Sequence, residues 1–307
     1  DGVVYIGDMD GELWALNLAS GKEIWKFETD SGFLASPAVK DGLIYIGDID
    51  GKCYCIDAKS GKEKWSFAAE AEVDSSANFW KENVLFASQD RHLYCLDAKS
   101  GKEVWRFAID DQIRCTPTVV DDRCFLAGCD GKLHIIDLTK GEAVAAVPID
   151  APTGVTPAVL GDRVFFGTQA GVFFAINWKE AKIDWKFEEE SASQPYASSA
   201  AVTEKIVVVG SQNRMVQGFD PANGKELWTF ATRQRVDSSP VIVANRAFVG
   251  AGDGRLYAID LKDGTELWQQ QLTGGITGSP AVADGRLVIA TDRGVVYCFG
   301  EKASGGR

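Results

Sequence analysis

The stretch Asp57–Phe67, DAKSGKEKWSF, decides the fold because the chain repeats it. It returns almost unchanged as DAKSGKEVWRF at Asp97–Phe107. Weaker copies end at Trp25, Trp228 and Trp268. Successive copies lie about forty residues apart, and a fixed period in this range is typical of a repeat architecture.

Each repeat contains four short apolar runs separated by turn residues. In one repeat these runs are Ser36–Val39, Leu43–Ile46, Cys53–Asp57 and Glu63–Phe67, and Asp50-Gly51 is a strong hairpin signal. Each run has the length of a strand, and no window shows apolar residues at helical spacing. The pattern predicts four antiparallel strands, named A to D in chain order with A innermost, which form one blade of a β-propeller.

Counting the repeats predicts an all-β, eight-bladed β-propeller that forms a single domain over residues 1–300, followed by a flexible tail at 301–307. Strands B and C recur eight times, whereas strands A and D recur seven times. The expected starts of strand A are Ser36, Ser76, Thr116, Thr156, Ser199, Ser239 and Ser279. The missing strands, A of blade 1 and D of blade 8, are consecutive in cyclic order. We therefore hypothesise that about half a repeat has been trimmed before Asp1.

Three positions of the repeat have structural roles. The Asp or Asn that ends strand C is expected to form an Asx turn, and the glycine that follows supplies a positive φ. The tryptophan on strand D is expected to cover the contact between neighbouring blades. These structural residues are Trp25, Trp65, Trp105, Trp185, Trp228 and Trp268. Blade 4 has Ala145 at this position, blade 5 has Ala181 at the glycine position, and three residues are inserted within 188–197. This irregularity is either drift or a mark of a working surface.

The repeat resembles that of the pyrroloquinoline-quinone (PQQ)-like β-propellers. The resemblance rests on Ser-Pro-Ala-Val, an Asp-Gly turn, Tyr-x-x-Asp and Ser-Gly-Lys-x-x-Trp, and it covers Val3–Gly300. The superfamily includes quinoprotein dehydrogenases and non-catalytic members that are BamB-like, which scaffold outer-membrane barrel assembly. In the dehydrogenases the resemblance implies a catalytic Asp, a calcium ion held by Glu, Asn and Asp, and a pair of adjacent cysteines.

Composition excludes some classes of partner. The formal net charge of −12 disfavours nucleic acid and anionic membrane surfaces. No apolar stretch approaches the length of a membrane span. We expect a monomer that lacks any signal or anchor in this chain.

The seven cysteines say little about function. Cys55, Cys95 and Cys298 share one strand-C position and are expected to point into packed contacts between blades. Cys115 and Cys129 are expected to face each other in blade 4, either as a disulfide or as two free thiols. The chain contains no Cys-x-x-Cys motif, so zinc and haem attachment are unsupported.

The D–A and B–C loops are the expected binding face, because propellers present these loops together. The candidate partner or ligand residues there are Asp74, Arg114, Gln169, Tyr196, Gln212, Arg233, Arg235 and Asp237. The arginines could hold a carboxylate or phosphate, or anchor an acidic or extended peptide. The alternative is ion pairing among Arg114, Asp74, Arg235 and Asp237 within the protein.

Three functions are compatible with the sequence. The first is a non-catalytic scaffold that binds a protein or peptide, placed outside the cytoplasm and engaged in cell-envelope assembly. The second is a PQQ- and calcium-dependent dehydrogenase, which the absence of a Cys-Cys step and the short loops disfavour. His92 and His134 lie at strand-C positions and are expected to be structural. The third is the sensor domain of a larger receptor or kinase. We predict the scaffold, with no catalytic, cofactor or metal residues.

Overall fold

The computed structural model describes residues 2–189 and 194–300, which form thirty strands in eight antiparallel sheets. The prediction of an all-β, eight-bladed β-propeller is confirmed. The chain divides into two compact units at residues 157 and 158, with four blades in each. The single domain expected over residues 1–300 stays a prediction. The predicted tail at 301–307 and part of the predicted insertion, 190–193, lie outside the described residues.

The first unit contains blades 1 to 4. Blade 1 has three strands and the others have four, and each sheet follows the order of the chain. The strands are β1 (Val3–Gly7), β2 (Glu12–Asn17) and β3 (Glu23–Glu28) in blade 1; β4 (Ala38–Lys40), β5 (Leu43–Gly47), β6 (Lys52–Asp57) and β7 (Glu63–Ala68) in blade 2; β8 (Asn78–Trp80), β9 (Asn83–Ala87), β10 (His92–Asp97) and β11 (Glu103–Ala108) in blade 3; and β12 (Thr118–Val120), β13 (Arg123–Ala127), β14 (Lys132–Asp137) and β15 (Glu142–Pro148) in blade 4.

The second unit contains blades 5 to 8, and blade 8 has three described strands. The strands are β16 (Ala158–Leu160), β17 (Arg163–Gly167), β18 (Val172–Asn177) and β19 (Lys182–Glu188) in blade 5; β20 (Ala201–Val202), β21 (Val207–Ser211), β22 (Met215–Phe219) and β23 (Glu226–Ala231) in blade 6; β24 (Val241–Val243), β25 (Arg246–Gly250), β26 (Arg255–Asp260) and β27 (Glu266–Gln271) in blade 7; and β28 (Ala281–Ala283), β29 (Arg286–Ala290) and β30 (Val296–Gly300) in blade 8.

Strand A begins two residues later than predicted, at Ala38 rather than Ser36 in blade 2. The backbone N–H of Ser36 donates to the hydroxyl of Ser76 in the next blade, 3.1 Å away, and is therefore not available to strand B. The same hydrogen bond recurs within each unit, from Ser76 to Thr116, Thr116 to Thr156, Ser199 to Ser239 and Ser239 to Ser279. Within each unit, the residues just before successive A strands are thus joined by one backbone-to-hydroxyl hydrogen bond per pair.

The turn after strand C forms as the sequence predicts. The Asp57 carboxylate accepts hydrogen bonds from the backbone N–H groups of Lys59 and Ser60. Hydrogen bonds from Lys64 and Ser60 lower the pKa of Asp57 to about 2. Gly61 then adopts φ +68°. In blade 5 the same turn puts Ala181 at φ 51°, a conformation that costs a residue with a Cβ about 1 kcal/mol or more.

The strand-D tryptophans pack across the seam between neighbouring blades, where most of the core lies. The Trp65 ring rests on Gly101 of the next blade, where an added Cβ would lie 2.6 Å from ring atoms. Its indole N–H donates to the Ala98 carbonyl at 3.0 Å. Trp25, Trp185 and Trp228 make equivalent bonds to Ala58, Pro221 and Leu261. The Trp105 ring rests on Gly141 in the same way, but its buried indole nitrogen has no hydrogen-bond partner in the part of the chain that the structure describes.

One prediction about the cysteines is wrong. Cys55 and Cys95 are buried as expected, but Cys298 is exposed. The first two pair with Trp65 and Trp105 on strand D, whereas no described strand pairs with the outer edge of β30. All seven cysteines are free, including Cys115 and Cys129, so of the two alternatives the structure holds the free thiols.

Candidate functional site

The loop face of the first unit consists of the D–A and B–C loops of blades 1 to 4. Positions just before strand A follow one another from blade to blade as Leu34, Asp74, Arg114 and Gly154. A Cβ added to Gly154 would lie 3.2 Å from the Arg114 Cβ, so these positions are neighbours. The strand framework therefore places one variable side chain per blade in a row.

Gln89 connects two of the predicted residues on this face. Its side-chain N–H group donates to Asp74 at 2.8 Å and to Glu72 at 2.6 Å, and its oxygen accepts from Arg114 at 3.2 Å. Arg114 also donates to the Gln112 oxygen, at 2.9 and 3.2 Å. The predicted ion pair between Arg114 and Asp74 is thus replaced by a bridge through Gln89.

The two charged residues of this network differ in their environments. Burial raises the pKa of the Asp74 carboxyl, although the hydrogen bond from Gln89 and the charge of Arg114 act in the opposite direction. One Asp74 oxygen is buried and accepts no hydrogen bond from residues 2–189 or 194–300. Arg114 is exposed, and only neutral side-chain amide oxygens accept its hydrogen bonds among the described residues. Arg114 therefore presents a charged group that forms no direct ion pair with a carboxylate among the described residues.

The loop face of the second unit contains the other predicted arginines. Arg235 forms an ion pair with Asp237 at 2.8 Å, and Gln212 donates to the same carboxylate at 3.0 Å. This part of the predicted internal pairing is therefore present. Arg233 and Gln169 are exposed, and the described residues provide neither with a hydrogen-bond or ion-pair partner.

Tyr196 does not belong to the loop face, and its predicted placement there is wrong. Its side chain is 5% exposed and packs in a core cluster with Phe173. Its hydroxyl donates to Gln217 at 2.9 Å. Tyr196 packs directly beside Gly167. A Cβ added to Gly167 would lie 2.2 Å from the Cβ of Tyr196.

The sequence reasoning missed Gln112, Glu72 and two exposed apolar side chains on the same face. Gln112 and Glu72 each lie two residues before a predicted site residue, and the alternation of an extended chain places such residues on one side. Met9 and Leu34 are 56% and 57% exposed. Gly32, beside Leu34, packs against the Met9 backbone, so these two side chains belong to neighbouring loops.

The buried titratable groups of blades 3 and 4 have structural partners. His134 lies 2.8 Å from the Asp130 carboxylate, and His92 lies 3.2 Å from Asp90. Burial raises the pKa of the Cys115 thiol to about 12, which keeps it protonated and unreactive. The contacts of His92, His134 and Cys115 are therefore structural, and they give none of these groups a role as acid, base or nucleophile on the loop face.

Two features concern the calcium-held quinone of the dehydrogenases. Within residues 2–189 and 194–300, no group of three or more His, Cys, Asp or Glu side chains is arranged to hold a metal ion. The sequence also lacks the adjacent cysteine pair. Over the same ranges, no helix is both long and apolar enough to cross a membrane.

Repeated four-stranded blades and short loops define a PQQ-like β-propeller. A family model described as "Outer membrane protein assembly factor BamB" matches residues 1–78, 70–144 and 130–299. The chain belongs to this family.

Two solved structures have the same fold. BamB from Moraxella catarrhalis aligns with a TM-score of 0.84 and 18% identity over 98% of this chain and 94% of that chain. The computationally designed Ika8 protein aligns with a TM-score of 0.84 and 16% identity over the same shares. No curated protein matches the sequence at a significant level. At these identities the structural likeness concerns the fold alone.

Proposed function

We propose that this propeller is a non-catalytic scaffold that binds a protein partner through the loop face of its first unit. By analogy with its family, the setting would be outside the cytoplasm, in the cell envelope, and the process outer-membrane protein assembly. The proposed partner surface is acidic, with an apolar patch beside the acidic group. A rigid framework with short loops suits such binding, because little conformational entropy is lost when the partner docks.

Arg114 is the observation that carries this proposal. Two amide oxygens from Gln89 and Gln112 hold its guanidinium group in place, and neither neutralises it. An arginine fixed in this way can form a bidentate pair with a carboxylate without first breaking an internal ion pair. Arg235 differs, because Asp237 already pairs with it.

The exposed apolar side chains define the second part of the partner's chemistry. Met9 and Leu34 present flexible aliphatic surface on the loops of blades 1 and 2. Interfaces of this kind combine an apolar centre with a polar rim, and arginine is enriched among the residues that dominate binding energy. An acidic loop followed by an apolar side chain would match this arrangement.

Co-purification tests the proposal. The partner recovered with the wild-type chain should be lost with Arg114→Ala, and binding should weaken with Leu34→Ser. Arg106→Ala is the matched control, because Arg106 is exposed on strand β11 and pairs with Glu103 there. Arg235→Ala should have the smaller effect. Unchanged recovery with Arg114→Ala, at an unchanged melting temperature, would reject this face.

A further inference from the structure

An open pocket lies between blades 3 and 4 at their A–B turns, which are at the opposite end of strand A from the loop face. It has a volume of about 320 Å³, at the lower end of the range of ligand pockets. The pocket combines aromatic walls with two neighbouring carboxylates. Its lining residues are Phe79, Trp80 and Lys81 of blade 3 and Val119, Asp121 and Asp122 of blade 4.

The aromatic wall of this pocket is specific to blade 3. Strand β8 is the only one of the seven described A strands that contains aromatic side chains, Phe79 and Trp80. Phe79 packs edge-on against Tyr45 of blade 2, with ring centroids 5.2 Å apart. The half-buried Trp80 packs against the core of blades 3 and 4, and its indole N–H donates to the Asp122 carboxylate at 2.8 Å. The Trp80 ring is thus fixed in place while part of it faces the pocket.

Two lysines of the chain already place their ammonium groups over these rings. The Lys81 ammonium lies 4.3 Å from the centroid of the Trp80 ring, and the Lys40 ammonium lies 5.3 Å from that of Phe79. Lys81 also pairs with Asp122 at 2.8 Å, but its side chain is 58% exposed, and an ion pair this exposed contributes little to stability. The chain itself therefore shows which chemistry fits the pocket, a cation over an indole ring beside a carboxylate.

The pocket also contains a carboxylate without a charged partner. Hydrogen bonds from Lys81 and Trp80 lower the pKa of Asp122, so this carboxylate is charged at neutral pH. The adjacent Asp121 is exposed and forms no ion pair within residues 2–189 and 194–300. Lys40 does not line the pocket, and its ammonium donates to the Lys81 carbonyl oxygen. One of the two carboxylates thus remains unpaired beside the Trp80 ring.

We propose that this pocket binds an arginine side chain of a partner protein, which displaces Lys81 from the Trp80 ring. The guanidinium group stacks on the indole and donates to Asp121 and Asp122. The aliphatic part of the side chain packs against Val119. Arginine fits better than lysine, because a planar guanidinium stacks on a ring and bonds two carboxylates at once, whereas an ammonium is a point charge. This surface is separate from the loop face and does not depend on the function proposed above.

A peptide titration tests the proposal on the whole chain. The probe is acetyl-Gly-Arg-Gly-amide, added to the isotope-labelled protein while the indole resonances are followed by NMR. The Trp80 resonance, identified by its absence in Trp80→Phe, should move saturably. The same peptide with citrulline, the uncharged isostere of arginine, should bind roughly tenfold more weakly, and the lysine peptide several-fold more weakly. Equal binding of the arginine and citrulline peptides, or no movement of the Trp80 resonance, would overturn the proposal.

Variants of the protein test the displacement of Lys81 and the role of the free carboxylate. Lys81→Gln removes the cation from the ring and should strengthen peptide binding several-fold, whereas Lys99→Gln, at an exposed lysine that pairs with Glu82, controls for net charge and should leave binding unchanged. Asp121→Asn should weaken binding several-fold. Asp41→Asn is the matched control, because Asp41 has the same place in the A–B turn of blade 2, with φ 51° against 53°, and does not line the pocket.

Two results with these variants would contradict the proposal. Unchanged or weaker binding with Lys81→Gln would mean that no lysine is displaced, and equal effects of the two aspartate variants would mean that the free carboxylate has no part in binding. Choline is the competing probe, since a quaternary ammonium also binds aromatic rings. Tighter binding of choline than of the arginine peptide would overturn the proposal in favour of a lipid headgroup.

Discussion

The seam between blades 2 and 3 and the seam between blades 7 and 8 are made from the same repeat positions, yet their strand-D tryptophans are buried to different extents. Trp65 is 9% exposed and bonded to Ala98, whereas Trp268 is 39% exposed and bonded to nothing described. At the equivalent strand-A positions, Phe79 packs edge-on against Tyr45 in the first seam, and the second seam has Val282. The repeat therefore specifies where a ring can be buried, and the neighbouring blade decides whether it is buried.

Replacing each of the two tryptophans by alanine, in separate variants, should give the largest difference in the free energy of unfolding between these seams. Trp65→Ala deletes a buried ring and its hydrogen bond, and should lower the free energy of unfolding by about 3–5 kcal/mol. Trp268→Ala removes a ring that is already partly solvated and should cost about 1 kcal/mol. Urea unfolding monitored by circular dichroism measures both. Equal losses would show that the two seams bury their rings equally.

Replacing Gly101, the glycine beneath the Trp65 ring, should have the next largest effect on the free energy of unfolding. Gly101→Ala combines a left-handed backbone with a Cβ 2.6 Å from the ring, and should cost about 2–4 kcal/mol. Gly42→Ala is the control, since Gly42 has φ +75° and nothing within 4 Å of an added Cβ. It should cost only the backbone term, about 1 kcal/mol. Similar melting temperatures for the two variants would refute the close packing of ring on glycine.

Removing the indole hydrogen bond of Trp65 should have the smallest effect on the free energy of unfolding. Trp65→Phe loses the bond to the Ala98 carbonyl, which still accepts from the Tyr45 hydroxyl at 3.1 Å. Trp105→Phe loses no bond, because the Trp105 nitrogen is buried without a partner. We expect Trp65→Phe to be the more destabilising by about 1 kcal/mol in the same unfolding assay. The reverse order would mean that the unpaired nitrogen of Trp105 stabilises the fold.

The fold could be predicted from the sequence because each blade repeats the same local signals. The Asp-Gly turns, the Asx turn after strand C and the strand-D tryptophans depend on residues close together in the chain. The start of strand A was misplaced because Ser36 bonds to Ser76, forty residues away, rather than to its own blade. The prediction that Cys298 is buried was wrong because it assumed a strand D beside strand C in every blade. No described strand pairs with the outer edge of β30.

The site was less predictable because it depends on side chains from different loops. Arg114 and Asp74 were recognised as neighbours, but Gln89 between them changes an expected ion pair into a bridged network. Tyr196 occupies the same repeat position as Phe33, Val73 and Val236, which are all buried, and its ring packs beside Gly167.

The hydroxyl hydrogen bonds next to the A strands give neighbouring blades of one unit a joint with a common chemistry. Each joint needs only a backbone N–H on one side and a serine or threonine hydroxyl oxygen on the other. The acceptor is a serine hydroxyl in the Ser36–Ser76 joint and a threonine hydroxyl in the Ser76–Thr116 joint. Duplication or exchange of a whole forty-residue repeat would preserve every such joint. A repeat added by gene duplication would therefore meet its neighbours through the same kind of hydrogen bond.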